Sequence, residues 1–406
     1  MRRLFLTLTA SVFSALPCLA QWFGTASDNI RTPRVITAGD WERLPVLTDG
    51  ETLEISFDEM SHNYHRFTYH ITHCDASWET SDLLESEYLD GFNDQPVDSW
   101  ENSENTTFDY THYRLQIPNE DIRLKVSGNY RVSIQEDDEE LAWFRFSVSE
   151  GMPLLSMEQP TGNTDIDTRE SHQQIGLTVN YSSLDVRNPD RELKVTVMQN
   201  HRFDNAAISP KATYENGRQL TFDHCSDLIF PAGNEFRRFE VINMYENVRR
   251  VDRISFHAPY YHAAVMTDRE FHAYQYDDDH NGRFLVRYSN ADDSDIQADY
   301  MFVHFRLESP EYQGGKLYVT GDFSGGSLTP EYEMEYADGA YQAPLLLKNG
   351  AYDYRYLWVP AGKNAGETAK TEGDWYETGN EYHAFLYYRP RNGRYDRLVS
   401  VSSTGR

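Results

Sequence analysis

Apolar and polar residues alternate over many short stretches of this chain, which is the pattern of a β-strand with one buried face. The clearest alternating stretches are residues 52–57, 67–71, 130–134, 143–148, 176–179, 193–197 and 302–307. Apolar residues at helical spacing are nearly absent. The pattern therefore predicts an all-β protein.

Turn dipeptides separate many of these stretches. Asn-Gly or Asp-Gly pairs begin at residues 49, 216, 281, 338, 349 and 392. Each pair favours positive φ and thus a tight hairpin turn. Short strands joined by such turns are typical of β-sandwiches.

Two segments rich in turn-forming and polar residues divide the strands into three groups. One covers residues 148–153 and the other covers residues 289–295. Single sandwiches contain about 100 residues, so a chain of 406 residues is long enough for several. We expect three consecutive immunoglobulin-like β-sandwich modules, at residues 21–150, 151–298 and 299–406.

Residues 1–20 resemble a secretory signal peptide. Arg2 and Arg3 precede an apolar run over residues 4–16, and Cys18-Leu19-Ala20 offers a small-residue cleavage site. Twin-arginine export and lipidation of Cys18 are the alternatives, and Pro17 disfavours the second. No later stretch approaches the roughly 18 apolar residues of a membrane-spanning helix.

The chain is strongly acidic. It has 65 Asp and Glu against 37 Lys and Arg, a formal net charge of −28. Such charge disfavours binding to nucleic acid, which needs basic residues along the phosphate backbone. It also disfavours docking onto anionic lipids.

Beyond the signal peptide the sequence contains only two cysteines, Cys74 and Cys225. Two cysteines do not make a disulfide framework in an exported chain of this length. We expect two buried free thiols, with a single bridge as the alternative.

One segment suggests a zinc site because it contains His62, His65, His70, His73 and Cys74. Strand alternation places His70 and Cys74 on one face and His73 on the other. The spacing does not match paired zinc-binding arms. Packing or hydrogen bonding is the favoured interpretation, and zinc is the alternative.

Residues 277–282 contain the first half of a calcium-binding loop, with the pattern D-x-D-x-N-G. Tyr288 stands at the twelfth position, where such loops need a glutamate. We therefore predict a hairpin turn between residues 271–276 and 284–288, with calcium binding as the alternative.

The sequence contains no catalytic motif: a nucleophile elbow, a zinc-protease helix and a P-loop are all missing. We predict no catalytic, cofactor-binding or metal-binding residue and no cofactor. Abundant carboxylates leave an exported hydrolase as a remote alternative. Tyr352, Tyr354, Tyr356 and Trp358 share one strand face, which favours a sandwich core over a sugar-stacking surface.

Several blocks in one order extend over almost the whole chain after the signal peptide. They are HCDASW (73–78), ESEYLDGFNDQPV (85–97), NTTFDYTHYRLQIPNED (105–121), SGNYRVSI (127–134), FPAGNEFRRFEV (230–241), EGDWYETGNEYHAFLYYRP (372–390) and GRYDRL (393–398). Together they resemble the plug protein family of the Bacteroidetes type IX secretion system.

This resemblance implies a non-enzymatic periplasmic protein, associated with the outer membrane through its partner. That partner would be the outer-membrane β-barrel translocon, whose periplasmic mouth the protein would close. No small-molecule substrate or nucleic acid is implied.

The third predicted module also resembles the immunoglobulin-like glycogen-binding domains, through the segment Leu317–Phe323. Those domains usually continue into Asn-x-Trp, where the tryptophan helps to hold sugar. Residues 324–327 here are Ser-Gly-Gly-Ser. A periplasmic or surface glycan-binding protein is therefore the alternative function.

Overall fold

The computed structural model describes residues 21–163, 165–246 and 248–405. The expected signal peptide and Cys18 lie outside the described residues. The described chain consists almost entirely of strands and loops, which confirms the predicted all-β fold. Its α-helices are single turns, α1 Glu85–Tyr88, α2 Pro189–Glu192 and α3 Ser294–Gln297, and 3₁₀ turns cover Ser226–Leu228, Asp322–Ser324 and Pro330–Tyr332.

The first module covers residues 21–150 and forms a sandwich. Its strands are β1 Phe23–Thr25, β2 Ile30–Thr37, β3 Val46–Leu47, β4 Leu53–Glu59, β5 Thr68–Cys74, β6 Leu89–Asp90, β7 Gln95–Pro96, β8 Ser99–Asn102, β9 Thr111–Ile117, β10 Arg123–Leu124, β11 Gly128–Glu136 and β12 Glu139–Val148. One sheet has the order β1-β12-β11-β5-β7, with β3 also paired to β12, and the other has the order β2-β4-β9-β8. Buried aromatic rings fill the space between them.

The second module begins with β13 Leu155–Met157, β14 Thr161–Gly162, β15 His172–Gln174, β16 Leu177–Asn180, β17 Leu193–Gln199, β18 Arg202–Ile208, β19 Tyr214–Asn216, β20 Gln219–Phe222 and β21 Ile229–Pro231. These strands form two small sheets, β13-β16-β20-β19 and β14-β15-β21, and one half of a third sheet. The other half comes from the end of the chain.

The third module covers residues 237–360. Its strands are β22 Arg237–Val241, β23 Val251–His257, β24 Tyr260–Val265, β25 Asp268–Arg269, β26 Phe284–Val286, β27 Tyr300–Glu308, β28 Gly315–Thr320, β29 Glu335–Ala337, β30 Ala340–Lys348 and β31 Gly350–Pro360. The larger sheet has the order β23-β24-β27-β30-β29, and the facing sheet contains β22-β31-β26 with β28 on β31.

The last two strands return to the second module. They are β32 Tyr382–Tyr388 and β33 Arg397–Thr404, and they complete the sheet β18-β17-β32-β33. The third module is thus inserted between two parts of the second, residues 151–231 and 382–404. The strands do not follow the expected division at residue 298, because β22, β24, β25 and β26 pair with strands beyond that residue. A polar surface loop looked like a boundary in the sequence, although it lies within one sandwich.

The C-terminal hairpin, β32 and β33, contributes side chains to two hydrophobic cores. Phe385 and Tyr387 of β32 belong to the core of the first module, whereas Ala384 and Leu386 belong to that of the second. Strand alternation explains this division, since successive side chains point to opposite faces of a sheet. The first and second modules therefore pack against opposite faces of one sheet.

The predicted turns have different outcomes. Asp338 and Gly339 both have positive φ and join β29 to β30 in a tight hairpin, as predicted. Asn349-Gly350 instead joins strands of different sheets, and the Asn349 side chain is buried. The hairpin expected around residue 281 is wrong: residues 271–276 form no strand, and β26 pairs with β31.

The sequence also predicts that Trp78, Tyr130 and Trp358 are buried, since each lies within or beside an alternating strand. Tyr130 and Trp358 are buried, as predicted, but Trp78 is half-buried. Trp78 instead forms part of the contact between the first two modules, with its ring centre 6.0 Å from that of Phe203 on β18. The same side chain faces Arg145 in a cation–π contact of 4.9 Å.

The aromatic row on β31 lies inside the third module, which confirms the core interpretation. Tyr352, Tyr354 and Tyr356 are buried in its hydrophobic core together with Trp358. The rings are therefore not on a surface where they could stack on sugars.

Replacing Trp358 by alanine is expected to lower the free energy of unfolding by about 3–5 kcal/mol, because it leaves a cavity in the core. Urea unfolding followed by circular dichroism measures this change. Phe92→Ala is the control, since that ring is 78% exposed, and its effect should stay within about 0.5 kcal/mol. Equal effects of the two substitutions would contradict the assignment of Trp358 to the core.

Candidate functional site: the junctions between the modules

The histidines singled out in the sequence do not converge on one point. His70 lies 2.9 Å from Asp94, and His65 lies 2.9 Å from Glu136. His73 is buried between Ser81 and the carbonyl of Ser127. Each of these rings has its own protein partner in the first module.

Both cysteines are free and buried, which confirms the thiol prediction. Burial raises the pKa of the Cys74 thiol to about 11, and it also raises the pKa of Cys225. A thiol with a raised pKa is a poor nucleophile at neutral pH because it carries little thiolate.

The first and third modules meet at a buried carboxylate, Asp58 on β4. Lys348 donates to Asp58 Oδ2 at 2.7 Å, and the hydroxyl of Tyr300 donates to the same oxygen at 2.6 Å. His112 Nδ1 lies 2.6 Å from Asp58 Oδ1. Burial would raise the pKa of Asp58, but the Lys348 charge and the His112 hydrogen bond hold it below its ordinary value.

A second carboxylate, Asp295 in α3, extends this junction. Arg34 of the first module lies 2.6 Å from it and Arg114 lies 3.3 Å from it. Its backbone carbonyl also accepts a hydrogen bond from Lys348 at 2.6 Å. Burial opposes ionisation, yet the charges of Arg34 and His112 hold the pKa of Asp295 well below its usual range. The first module thus supplies the carboxylate in the pair with Lys348, and it supplies the cations that bind Asp295.

Backbone groups of the first module bind a third carboxylate. Asp299 accepts hydrogen bonds from the backbone N–H of Thr107 at 2.8 Å and from that of Phe108 at 3.2 Å. The ring of Phe108 stacks on Tyr260 of β24, with ring centres 4.1 Å apart. Polar and aromatic contacts therefore fix loop 105–110 against the third module.

All three modules meet around His201, in the turn between β17 and β18. Its carbonyl accepts a hydrogen bond from the indole of Trp22 in the first module at 3.0 Å. Its ring nitrogens lie 2.9 Å from Asp322 Oδ2 and 2.9 Å from Arg283, both in the third module. Arg283 also donates to Glu381 at 2.8 Å.

His201, Glu381 and His383 are the one group of possible metal ligands found among the described residues. A guanidinium only donates hydrogen bonds and stays charged. Arg283 therefore places a positive charge beside two of the three ligand atoms, where a metal ion would have to bind. This geometry favours an ion-pair junction over a metal site.

The loop that matches half of a calcium motif is held by protein groups. Asp279 accepts hydrogen bonds from the backbone N–H groups of Phe236 and Asn281. Asp277 forms an ion pair with Arg249 at 2.6 Å. The predicted hairpin is replaced by a loop that wraps over β31, where Asp353 accepts a hydrogen bond from the backbone N–H of His280 at 2.5 Å.

Asp353 gives this loop a measurable pH dependence. Burial, reinforced by the nearby charge of Asp279, raises the pKa of Asp353 to about 7. The folded chain therefore holds a proton that the unfolded chain releases above about pH 4, so this group's contribution is fully present below pH 4 and is lost as the pH rises towards 7.

Asp353→Asn is expected to gain stability relative to the wild type as the pH rises from 5 to 8, because asparagine has no proton to lose. The difference in unfolding free energy between variant and wild type should change by at least about 1.4 kcal/mol, the equivalent of one pKa unit. Urea unfolding at both pH values measures it, and Asp338→Asn in the exposed hairpin is the control. A constant difference between pH 5 and 8 would contradict the raised pKa.

The segment that resembles glycogen-binding domains is covered by the start of the described chain. The backbone N–H of Trp22 donates to the carbonyl of Gly325 at 3.1 Å, and Gln21 donates to Ser327 at 2.9 Å. Phe323 is buried. This loop forms part of the junction with the first module and offers no aromatic surface for a sugar.

Comparison with known families gives a match in the first module. Residues 30–150 match the family described as "Type 9 secretion system plug protein 1st domain". The first module belongs to this plug-domain family. The match covers every strand of the first sandwich except β1, and it includes Asp58 and His112, which contact Lys348 and Asp295 of the third module.

A solved structure extends the similarity beyond the plug domain. The chain is 38% identical to a hypothetical protein from Parabacteroides merdae ATCC 43184, whose crystal structure was determined at 2.30 Å resolution. The similarity covers 95% of this chain and 99% of the other, with a TM-score of 0.92. The two chains belong to one protein family. Comparison with curated proteins gives no match.

The described residues contain no helix that is long and apolar enough to span a membrane.

The charged contacts between the modules were not predicted from the sequence. Lys348 ends the apolar strand β30, and nothing in the local pattern distinguishes a buried lysine there from an exposed one. Its partner Asp58 is 290 residues away in the chain. Tertiary pairing at that distance gives no local sequence signal.

Proposed function

We propose that this chain is a non-enzymatic periplasmic plug that closes the periplasmic mouth of the outer-membrane translocon barrel of type IX secretion. The observation that carries the proposal is the match of residues 30–150 to the plug-domain family. A plug acts by occupying volume, so it needs a body that keeps its shape and no reaction centre.

The buried junctions support this role physically. Lys348, Tyr300 and His112 all contact the carboxylate of Asp58 between the first and third modules. Separating the modules would break these contacts and would expose to water the aromatic rings packed around them, Phe108 on Tyr260 and Tyr110 on Tyr300, which is costly. The shared C-terminal hairpin holds the second module to the first in a similar way. The three sandwiches therefore resist separation, as a closure under a wide pore requires.

The acidic composition of the chain also supports the proposed role beside the outer membrane. A net charge of −28 disfavours adhesion to anionic lipids and leaves contact with a protein rim as the preferred interaction. The buried aromatic row on β31 removes the main motivation for glycan binding.

Deletion of this protein tests the proposal. We expect the deletion to increase uptake of a large antibiotic that the outer membrane normally excludes, while the translocon barrel stays present. The full-length chain should restore exclusion and should co-purify with the barrel from outer-membrane extracts.

A matched pair of variants sharpens the test. Lys363→Met, at a surface position that is 63% exposed, should restore exclusion as well as the wild type does. Lys348→Met should restore it less well because it disrupts the junction with the plug domain. Unchanged uptake after deletion, with an otherwise unblocked barrel present, would overturn the proposal. Retention on polysaccharide resin without barrel association would favour glycan binding instead.

A further inference from the structure

The two edges of one sheet in the first module differ in their protection against pairing with other strands. The sheet β2-β4-β9-β8 ends in β2 and in β8. β2 contains Pro33, and its register with β4 shifts between Arg31 and Arg34. Prolines, charges and bulges of this kind keep sheet edges from pairing. β8 contains no proline, its register with β9 is continuous, and its one charged residue, Glu101, accepts a hydrogen bond from Arg114 at 3.0 Å.

The free edge of β8 presents backbone groups that can pair with another strand. The backbone N–H of Ser103 donates to the carbonyl of Tyr110 at 2.8 Å, and the same register continues to Asn102 opposite Thr111. Alternate residues of an antiparallel strand face the partner and face away from it. The N–H and C=O groups of Trp100 and Asn102 therefore point away from β9. All residues of β8 are exposed, and β8 pairs with β9 alone among the described strands.

Two exposed aromatic rings lie beside this edge. Trp100 is 40% exposed and Tyr64 is 52% exposed, and their ring centres are 5.3 Å apart. Tryptophan and tyrosine often supply most of the binding energy in protein interfaces. In strand addition the backbone hydrogen bonds give affinity, whereas side-chain contacts give specificity. A strand added to β8 would bring its own side chains against this aromatic pair.

The charge around the edge indicates which kind of strand fits. Residues 98–109 contain the exposed carboxylates Asp98, Glu101, Glu104 and Asp109 and no lysine or arginine. Complementary charge favours a basic partner. A second copy of this chain would bring the same carboxylates together, and each copy has a net charge of −28. The charge therefore favours a basic segment of another protein over self-association.

We propose that an extended segment of the translocon barrel, carrying lysine or arginine side chains, adds a strand to β8 and packs against Tyr64 and Trp100. β8 lies within residues 30–150, which match the plug-domain family. The identity of the partner rests on the proposed function, whereas the surface and the mode of contact go beyond it.

A matched pair of substitutions at Asn102 tests strand addition. Both Asn102→Pro and Asn102→Ala lose the hydrogen bond that Thr111 donates to the Asn102 side chain at 3.0 Å. Only proline also removes the outward N–H, and an edge strand tolerates proline at such a position. Binding of each full-length mature variant to the purified barrel in detergent is measured. The Kd should rise at least about tenfold for Asn102→Pro and less than about threefold for Asn102→Ala.

Two further variants test the aromatic pair and the charge. Trp100→Ala should raise the Kd at least about tenfold, as expected for an interface anchor. Asp98→Lys/Asp109→Lys should slow association at least about fivefold and weaken its dependence on salt. Asp185→Lys/Asp223→Lys is the control, since it makes the same change in net charge at exposed positions of the second module. Circular dichroism of every variant verifies that it is folded.

Cross-linking in cells identifies the partner directly. Trp100→p-benzoylphenylalanine should cross-link to the barrel on irradiation, whereas the same substitution at Tyr214, which is 64% exposed in the second module, should not. A cross-link from position 100 to a second copy or to another protein would overturn the proposal, as would the absence of a cross-link.

The outcomes separate this proposal from the proposed function. Equal barrel binding by Asn102→Pro and Asn102→Ala would overturn strand addition, although deletion of the protein still increased antibiotic uptake. Failure of the wild-type chain to bind the barrel, together with unchanged uptake after deletion, would overturn both.

Discussion

Lys348→Met is expected to lower the free energy of unfolding by about 3–5 kcal/mol, since it removes one partner of a buried ion pair. Lys348 and Asp58 are each 1% exposed, and the ammonium is 4.1 Å from the centre of the Tyr110 ring. Methionine fills similar space without the charge, so the Asp58 carboxylate would stay buried with only the Tyr300 and His112 contacts. Urea or guanidinium unfolding measures the loss.

A second substitution identifies the cause of that loss. Asp58→Asn in the Lys348→Met background removes the uncompensated charge and should recover part of the lost stability. Lys363→Met is the matched control, because the Lys363–Glu367 pair is exposed and should contribute less than about 1 kcal/mol. A loss no larger for Lys348→Met than for this control would show that the junction does not depend on the buried pair.

Arg237→Met should have a similarly large effect, again about 3–5 kcal/mol, by leaving two buried carboxylates without their main cation. Arg237 is 4% exposed on β22 and donates to Asp268 at 3.0 Å and to Glu372 at 3.0 Å. It also donates to the carbonyl of Arg269 at 2.8 Å. Denaturant unfolding measures this change too.

Two further variants test why arginine is needed there. Arg237→Lys keeps the charge but not the planar set of donors, so it should lose an intermediate amount of stability. Arg269→Met is the control, since that side chain is 80% exposed and only its backbone carbonyl takes part in the network. If the lysine variant were as stable as the wild type, charge alone would explain the site.

Much of the fold could be predicted from the sequence because strand alternation is a local signal. The core position of Tyr130 and of the row from Tyr352 to Trp358 follows from it directly. The insertion of the third module could not be predicted in this way. It depends on the pairing of β17 with β32, whose partners Leu193 and Tyr388 are far apart in the chain.

The candidate site was harder to predict from the sequence than the fold. The histidines that stood out by proximity in sequence, His70 and His73, have separate partners within the first module. The histidines that meet in space at the junction, His201 and His383, lie far apart in sequence although their ring centres are 5.5 Å apart. A side chain's neighbours across a sheet are set by register, which local spacing does not determine.

The shared C-terminal hairpin also imposes an order on folding. A chain is synthesised from its N-terminus, and domains generally fold as units as they become available. Residues 237–360 hold every strand of the third module, so that sandwich can form while the second still lacks β32 and β33. Until these strands arrive, β17 has an unpaired edge that can pair with other chains. Completion of the second sandwich, and of the first module's core, therefore waits for β32 and β33.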